Sequence, residues 1–481
     1  MSSPFDNAKY KALLEGLEIT VLPESEVFVE NPTNRIDSEF LSKDAIASVD
    51  LIKRAANQYL KTLVSKIQHP AELTREYAES GLHVVLAQNV RDNLLSFPEK
   101  AFMSLSVKAF LAPNRLKYDD VLMTRSGANF GQTACWKLNE EAYACADLLI
   151  FRQPKCPGGY LSTFFNTCYG KKLVERGSYG MAQPHIAPNY LEIVRVPRFE
   201  LIETRVDEFI VKAYCCLANS ANLYQAAEQT LLSALGLDSW QPPEQLSYTR
   251  KASETFTAGR LDAEYFRPKY DELIDGMKTK MPLMAMREVS QPLKYGTSEP
   301  LTYSEEGFPF LRIADLQNKR FEIDSVMRIP LSQAKYISEV VSTGDVLISR
   351  SGTLGVAVPI TDEFNGAIYG SYFIRTKPDP EIINPEYMAL FINSLAGQLQ
   401  VEQKNTGGVQ MNLTIDAIEN IQIPIGSLDW QQQIVNVVEM SLTARKEARS
   451  LLKRAKRAVE IAIERNEAAA IECLNQAEGG F

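Results

Sequence analysis

The side chains best suited to covalent chemistry are few in this 481-residue chain, and they are badly spaced for it. His69, His83 and His185 are its three histidines and form no His-Glu-x-x-His. No serine or cysteine sits in Gly-x-Ser-x-Gly or near a histidine pattern that would activate a nucleophile. The seven cysteines, Cys135, Cys145, Cys156, Cys168, Cys215, Cys216 and Cys473, include no CxxC pair, so a structural zinc site is not expected. Asn31-Pro32, Asn384-Pro385 and Asp379-Pro380 lack the Asn/Asp-Pro-Pro-Tyr/Phe run of an amino-methyltransferase, and Asp362-Glu363-Phe364 reads as a solvated loop.

Hydrogen-bonding chemistry is what remains. Asp345-Val346-Leu347-Ile348-Ser349-Arg350 reads as a short strand and Ser351-Gly352-Thr353-Leu354-Gly355 as a tight turn after it. Neither this turn nor its counterpart at 126–131 carries the Gly-Lys-Ser/Thr or Gly-x-Gly-x-x-Gly of phosphate-binding loops. Turn glycines that need positive φ are the plain reading, and Arg and Ser side chains meeting DNA the functional one. Glycine-rich stretches at 177–185 and 405–410 hold Asn, Gln and Ser, whose polar groups can lie along base edges, although ordinary surface loops are equally consistent. The candidate DNA-contacting residues are Thr124, Arg125, Ser126, Asn129, Ser178 and Gln183 in the first half, and Ser349, Arg350, Ser351, Thr353, Asn405 and Gln410 in the second.

The elements that must position these residues are written twice. Arg35-Ile36-Asp37-Ser38-Glu39-Phe40 matches Arg260-Leu261-Asp262-Ala263-Glu264-Tyr265, and Asp120-Val121-Leu122-Met123-Thr124-Arg125-Ser126-Gly127 matches Asp345-Val346-Leu347-Ile348-Ser349-Arg350-Ser351-Gly352. A third block aligns Asn166, Gly170, Gly180, Gln183, Leu191 and Pro197 with Asn393, Gly397, Gly407, Gln410, Ile418 and Pro424. Such spacing indicates a duplicated unit of roughly 225 residues. A stretch with helical apolar spacing closes each copy: Phe209, Ile210, Ala213, Leu217, Tyr224, Leu231 and Leu235, then Ile434, Val438, Leu442, Leu452, Ala455, Val459 and Ala462.

The first helix carries Glu203, Asp207, Glu208 and Glu228, whereas the second carries Arg445, Lys446, Arg449, Lys453, Arg454, Lys456 and Arg457. Complementary pairing between them is one reading, a solvated face or a DNA or partner contact the others. Leu13-Leu14-Glu15-Gly16-Leu17 is similar to Leu231-Leu232-Ser233-Ala234-Leu235, so the chain is expected to begin partway through a unit. Overall it has 51 basic and 60 acidic residues, net charge −9, which argues against a general nucleic-acid glue but not against a local basic surface. Without a basic, apolar leader or a membrane-length apolar run, it reads as soluble, cytoplasmic and reducing-compartment.

The segments Gly344 to Gly355, Ala389 to Gln398, Thr406-Gly407 and Ile423-Pro424-Ile425 resemble those of the specificity subunits of Type I restriction-modification systems. The resemblance implies an α+β fold: two target recognition domains joined by two long antiparallel, coiled-coil-like helices in a pseudo-two-fold arrangement. On this reading residues 1–34 complete the helical region, 35–200 and 260–427 are the recognition domains, 201–259 the central helix with its linker, and 428–481 the C-terminal helix. A helix of about 35 residues is on the order of 50 Å long. It would hold two half-sites more than one duplex turn apart.

The family's role is non-catalytic. The resemblance implies recognition of a split, asymmetric double-stranded DNA sequence and docking of methyltransferase subunits, expected to number two, that bring S-adenosylmethionine. A motor-nuclease subunit is a further implied partner; no cofactor or metal is expected in this chain, and no membrane contact. Alternatives are the specificity subunit of a fused Type II-like or phage-defence complex, and a helical scaffold that reads no DNA. Asp119 stands where the second copy has Gly344, and Lys171-Lys172 where it has Gln398-Leu399, which puts the turn geometry of the first copy in doubt.

Overall fold

Strand runs and helical runs alternate irregularly along each repeat. The computed structural model describes residues 21–475 except 73–75, 98–99, 128, 181–183, 244, 246, 318, 322, 324–325, 336 and 406–411, together with residues 9, 12, 13, 15 and 16. The chain divides into two units: Met1–Ala218 with Ala444–Phe481, and Asn219–Thr443. The mixed α+β class expected from the sequence is what each contains.

In the first unit the described elements include α1 (Lys43–Arg54), β1 (Asn57–Tyr59), β2 (Lys66–Gln68), β3 (Leu82–Val85), β4 (Ala101–Met103), β5 (Val121–Thr124), β6 (Thr133–Cys135), β7 (Ala142–Ala144) and β8 (Leu148–Arg152). There follow α2 (Gly158–Asn166), α3 (Cys168–Arg176), β9 (Ser178–Tyr179), β10 (His185–Ile186), β11 (Arg195–Pro197) and the start of α4 (Glu203–Ala234). The main sheet is antiparallel in the order β2-β8-β5-β6. Every residue of β5 is buried, which is why that strand is an unbroken apolar run ending in Thr124 rather than an alternating one. A second sheet places β3 between parallel β7 and antiparallel β4. The chain exits through β11, antiparallel to β1 with Asn57 opposite Pro197.

The second unit repeats this plan. It has α5 (Pro268–Lys280), β12 (Leu283–Ala285), β13 (Ser290–Tyr295), β14 (Phe308–Leu311), β15 (Met327–Ile329), β16 (Val346–Ser349), β17 (Ala357–Pro359), β18 (Ile368–Tyr369), β19 (Phe373–Pro378), α6 (Pro385–Asn393), α7 (Leu395–Lys404) and β20 (Gln422–Pro424). The main sheet runs β13-β19-β16-β17, the second holds β14 between antiparallel β15 and parallel β18, and β12 pairs β20 with Leu283 opposite Pro424.

Two buried side chains explain why particular residues recur. Asn166, at the end of α2, accepts from the Thr133 N–H at 3.2 Å and donates to the Thr133 carbonyl at 2.6 Å. Asn393, at the end of α6, does the same to Ala357, at 3.0 and 2.7 Å. One amide thus replaces a missing neighbour strand at β6 or β17, and only Asn supplies donor and acceptor on so short a stem. Gly170 and Gly397 follow because an added Cβ would strike the carbonyls of Phe164 and Ile392. The hydroxyls of Tyr160 and Tyr387 donate to Pro197 and Pro424 carbonyls at 2.6 and 2.8 Å.

The departure at Asp119 has a local compensation. Asp119 adopts φ +73°, as Gly344 does at +86°, and its carboxylate accepts from the Gly158 N–H at 3.1 Å and pairs with the buried Lys137. Lys137 also reaches Asp207 of α4 at 2.8 Å. The left-handed turn is therefore kept, with a charge network in place of glycine's conformational freedom.

Helix α4 and α8 (Leu428–Glu464) contain 32 and 37 residues, and α9 (Glu467–Asn475) follows. Of the apolar residues picked out by helical spacing, Ile210, Ala213, Leu231, Leu235, Ile434, Val438, Ala455, Val459 and Ala462 are buried. In the first unit Arg454 lies over the Phe209 ring and Lys212 pairs with Glu447 at 2.7 Å, so the helices run antiparallel there. In the second, Ser441 Oγ donates to the Ser220 carbonyl at 2.7 Å. Glu203 pairs with Arg198 and Asp207 with Lys137, while Arg457 pairs with Glu460 and Glu464 on its own helix. Apolar burial contributes to holding the helices together.

Asn393→Ala leaves the Ala357 N–H and carbonyl buried without partners, so a loss of about 2–4 kcal/mol is expected for the second unit. Urea unfolding measures it, and faster hydrogen exchange at the Ala357 amide localises it.

Candidate nucleic-acid interface

The three repeated blocks, far apart in sequence, meet at one place in each unit. In the second unit the Arg260 guanidinium grips Asp262 with two parallel bonds, Nε to Oδ2 and Nη2 to Oδ1, each 2.8 Å. Its remaining edge donates through Nη1 to the Asn405 carbonyl at 3.1 Å, just beyond the end of α7. Asn405 Oδ1 accepts the Asn412 N–H at 3.1 Å, and Asn412 forms an antiparallel bridge with Ser351 in the turn after β16. The path is Arg260, Asn405, Asn412, Ser351.

The first unit has the same path in its own residues. Arg35 holds Asp37 through Nε at 2.7 Å and Nη2 at 2.6 Å. Its Nη1 donates to the carbonyls of Arg176, at 3.1 Å, and Ser178. Ser178 pairs with Ile186 across β9 and β10, and His185 bridges Ser126 in the turn after β5. Both carboxylates are shaped by the pairing. Two bonds from Arg35 hold Asp37 at a pKa of about 2, and Arg260 lowers that of Asp262 in the same way. Each arginine also stacks on an aromatic of its block, Arg35 over Phe40 at 5.5 Å and Arg260 over Tyr265 at 4.6 Å.

The candidate residues from the sequence divide sharply in this setting. Thr124 and Ser349 are buried, so neither hydroxyl faces a ligand as expected. Ser349 Oγ donates to the Thr353 carbonyl and accepts the Val356 N–H at 2.9 Å, closing the turn. Arg350 is half-buried and its guanidinium reaches inward, to the Leu413 carbonyl at 3.3 Å and the Ser371 carbonyl at 3.4 Å, over the Tyr295 ring at 4.6 Å. Its length serves to tie three loops together. Arg125 is also half-buried, with Nη1 3.1 Å from His69 Nε2. Ser126 is buried, its hydroxyl 3.4 Å from Asp147 Oδ1.

Asn129, Ser178, Ser351 and Asn405 are half-buried and Thr353 exposed. Gln183 and Gln410 lie outside the described residues. The turn glycines have the positive φ expected of them, +91° and +77° at Gly127 and Gly131, +74° and +69° at Gly352 and Gly355. Thr414 caps its helix as read from sequence, its hydroxyl accepting the Ala417 N–H at 3.2 Å.

Sequence reasoning missed the exposed rings. Tyr372 is exposed, and its carbonyl accepts the Arg350 N–H at 2.9 Å. Tyr295 is also exposed, and its hydroxyl oxygen accepts the Ile415 N–H at 3.2 Å. In the first unit the exposed Tyr179 ring lies 5.9 Å from that of His185. Flat rings beside hydroxyl- and amide-bearing turns suit stacking and edge contacts to nucleic-acid bases. The available signal was the shared spacing of His185 and Asn412 within the third block, obscured because the two side chains differ. No group of three or more His, Cys, Asp or Glu among the described residues has metal-binding geometry, and no helix of the described residues is long and apolar enough to cross a membrane.

The Asp37 clamp carries a pH dependence of known sign. Its folded pKa lies below the ordinary value of 3.8, so its contribution to stability is complete above that value and disappears as pH falls through about 2. The Phe40 amide, which donates to Asp37 Oδ1 at 3.1 Å, should lose protection from hydrogen exchange over that interval, relative to Asp37→Asn, in which the dependence is absent.

Comparison with known proteins bears on the second unit. Residues 292–443 match the family described as Type I restriction modification DNA specificity domain. The Type I restriction enzyme EcoBI specificity subunit of Escherichia coli is 23% identical over 150 residues, 31% of this chain and 31% of that relative, so the match spans under a third of the relative's length. Among solved structures, the Type I restriction-modification S subunit from M. genitalium aligns over 88% of this chain and 96% of its own, with TM-score 0.39 and 10% identity. The HsdS subunit from Thermoanaerobacter tengcongensis aligns over 87% and 95%, with TM-score 0.28 and 14% identity. Residues 292–443, within the second unit, are thus similar to the Type I restriction modification DNA specificity domain.

Proposed function

We propose that the chain is the DNA sequence-specificity subunit of a restriction-modification methyltransferase complex, and that each unit reads one half of a split, asymmetric sequence. The observation that carries this reading is the repeated path from Arg35 to Ser126 and from Arg260 to Ser351. The family match covers the second path's final residues and the surrounding sheet, but the first unit lies outside it. The same path made with different groups, a main-chain pairing of Ser178 with Ile186 in one unit and the Asn405 side chain accepting the Asn412 N–H in the other, is what two readers of unlike half-sites require: a common frame with variable contacts.

On this reading the chain is not an enzyme. Methyltransferase subunits, two of them, dock on it with S-adenosylmethionine and flip out the target adenine, and a motor-nuclease subunit joins for cleavage. The long helices set the spacing between half-sites, and the complex works in the cytoplasm, where the DNA is. Part of the DNA affinity comes from the partners, in keeping with the net charge of −9.

Long-read mapping of methylated adenines in a host with and without this chain tests the proposal. The expected outcome is one split, asymmetric sequence that carries adenine methylation only when the chain is present. An unchanged methylation map would reject it and favour a scaffold that reads no DNA.

A further inference from the structure

The Arg-x-Asp block recurs in both units, yet it lies away from the turns that carry the candidate contacts. A merely structural pair would need only the arginine and the carboxylate. Here the third edge of each guanidinium is directed onto a backbone carbonyl at the same point of the fold, just after a helix: Ser178 after α3, with the last helical carbonyl at Arg176 also bonded, and Asn405 after α7. Ser178 and Asn405 are in turn tied to the returning strand at Ile186 and Asn412, and that strand bridges the turn at Ser126 or Ser351. Beyond the guanidinium itself and the Asn405 side chain, backbone groups carry this linkage, so it does not depend on which side chains occupy the turn.

We propose that Arg35 with Asp37, and Arg260 with Asp262, are positioning residues for sequence discrimination, each pair holding the base-facing turn of its own unit. This rests on the reading of each unit as the reader of one half-site. The guanidinium spans two directions at fixed angles because it is planar: a bidentate carboxylate on one edge, a carbonyl on another. An ammonium cannot do this. Its donors sit at one point, so it can hold the carboxylate or the carbonyl in good geometry but does not impose the angle between them. Loss of the clamp lets the segment after the helix shift, and base-edge contacts tolerate such shifts poorly because both hydrogen-bond distance and direction matter.

The test uses the full chain assembled with its methyltransferase subunits, with long-read methylation maps for the unmodified chain, Arg260→Ala, Arg260→Lys, Asp262→Asn and Arg35→Ala. The unmodified complex must first give a defined split sequence; if it does not, the proposed function itself fails and the clamp is not what is at fault. Given that sequence, Arg260→Ala should raise methylation of sites with a wrong base in one half by about tenfold relative to the correct site, comparable to the loss of one base contact, with the other half unchanged. Arg35→Ala should relax the opposite half. Arg260→Lys should behave like alanine rather than like arginine, and Asp262→Asn should fall between.

Variants that assemble and melt like the unmodified complex yet discriminate normally in both halves would overturn the proposal. So would equal relaxation of both halves by either substitution. Failure of every variant, Asp262→Asn and Arg260→Lys included, to fold or assemble would show that the pairs hold the fold and do not tune recognition, which also overturns it.

Discussion

A guanidinium that grips a carboxylate through two parallel hydrogen bonds still has donors facing another direction. In both units those spare donors meet a carbonyl just past the end of a helix, where the chain leaves the helix and its backbone groups have lost their helical partners. Segments of this kind are otherwise free to wander. Fixing one carbonyl at a known angle from a buttressed carboxylate anchors the segment at its start, and the pairing of Ser178 with Ile186, or Asn405 with Asn412, anchors its return. The turn after the central strand then has a defined neighbour, and a surface of rings and hydroxyls with a set geometry follows.

The frame beneath this surface is apolar and rigid. Strands β5 and β16 are buried along their length, and a single buried asparagine from the helix behind them completes the hydrogen bonding of β6 and β17. Burial of Ile210 with Val459 and Ala462 and of Ala213 with Ala448 and Leu451 in one unit, and of Leu231 and Leu235 with Ile434 and Val438 in the other, seats the long helices against the units they serve. In the first unit charge also locks the sheet to its helix, as Lys137 does between Asp119 and Asp207.

Much of this was legible in the sequence wherever the physics depends on residue identity. The recurring Asn166 and Asn393, the glycines with positive φ, the Thr414 cap and the apolar stripes of both long helices each need one residue type or a small class of them, so duplication exposed them. What stayed hidden depends on backbone or on context. The clamp reaches Ser178 and Asn405 through their carbonyls, which every residue has, and no pattern of side chains announces that. Thr124 and Ser349 look like surface polar residues at a strand end, but the strand is buried through its last position. Charge counts along α4 do not reveal that Glu203 and Asp207 turn toward Arg198 and Lys137. Asp119 looked like a defect in a glycine turn, and only its contacts with Lys137 and Gly158 show how the turn survives.

Two units built on one frame, each reading its own half of a DNA sequence, is the central claim, and exchanging one for the other tests it most directly. A chain in which residues 260–427 are replaced by a second copy of 35–200, assembled with its methyltransferase subunits, would be mapped for methylated adenines. The account predicts a new methylated sequence in which both halves carry the bases formerly confined to the half read by the first unit. Retention of the original second half, in a chain that no longer contains the unit assigned to read it, would contradict the account.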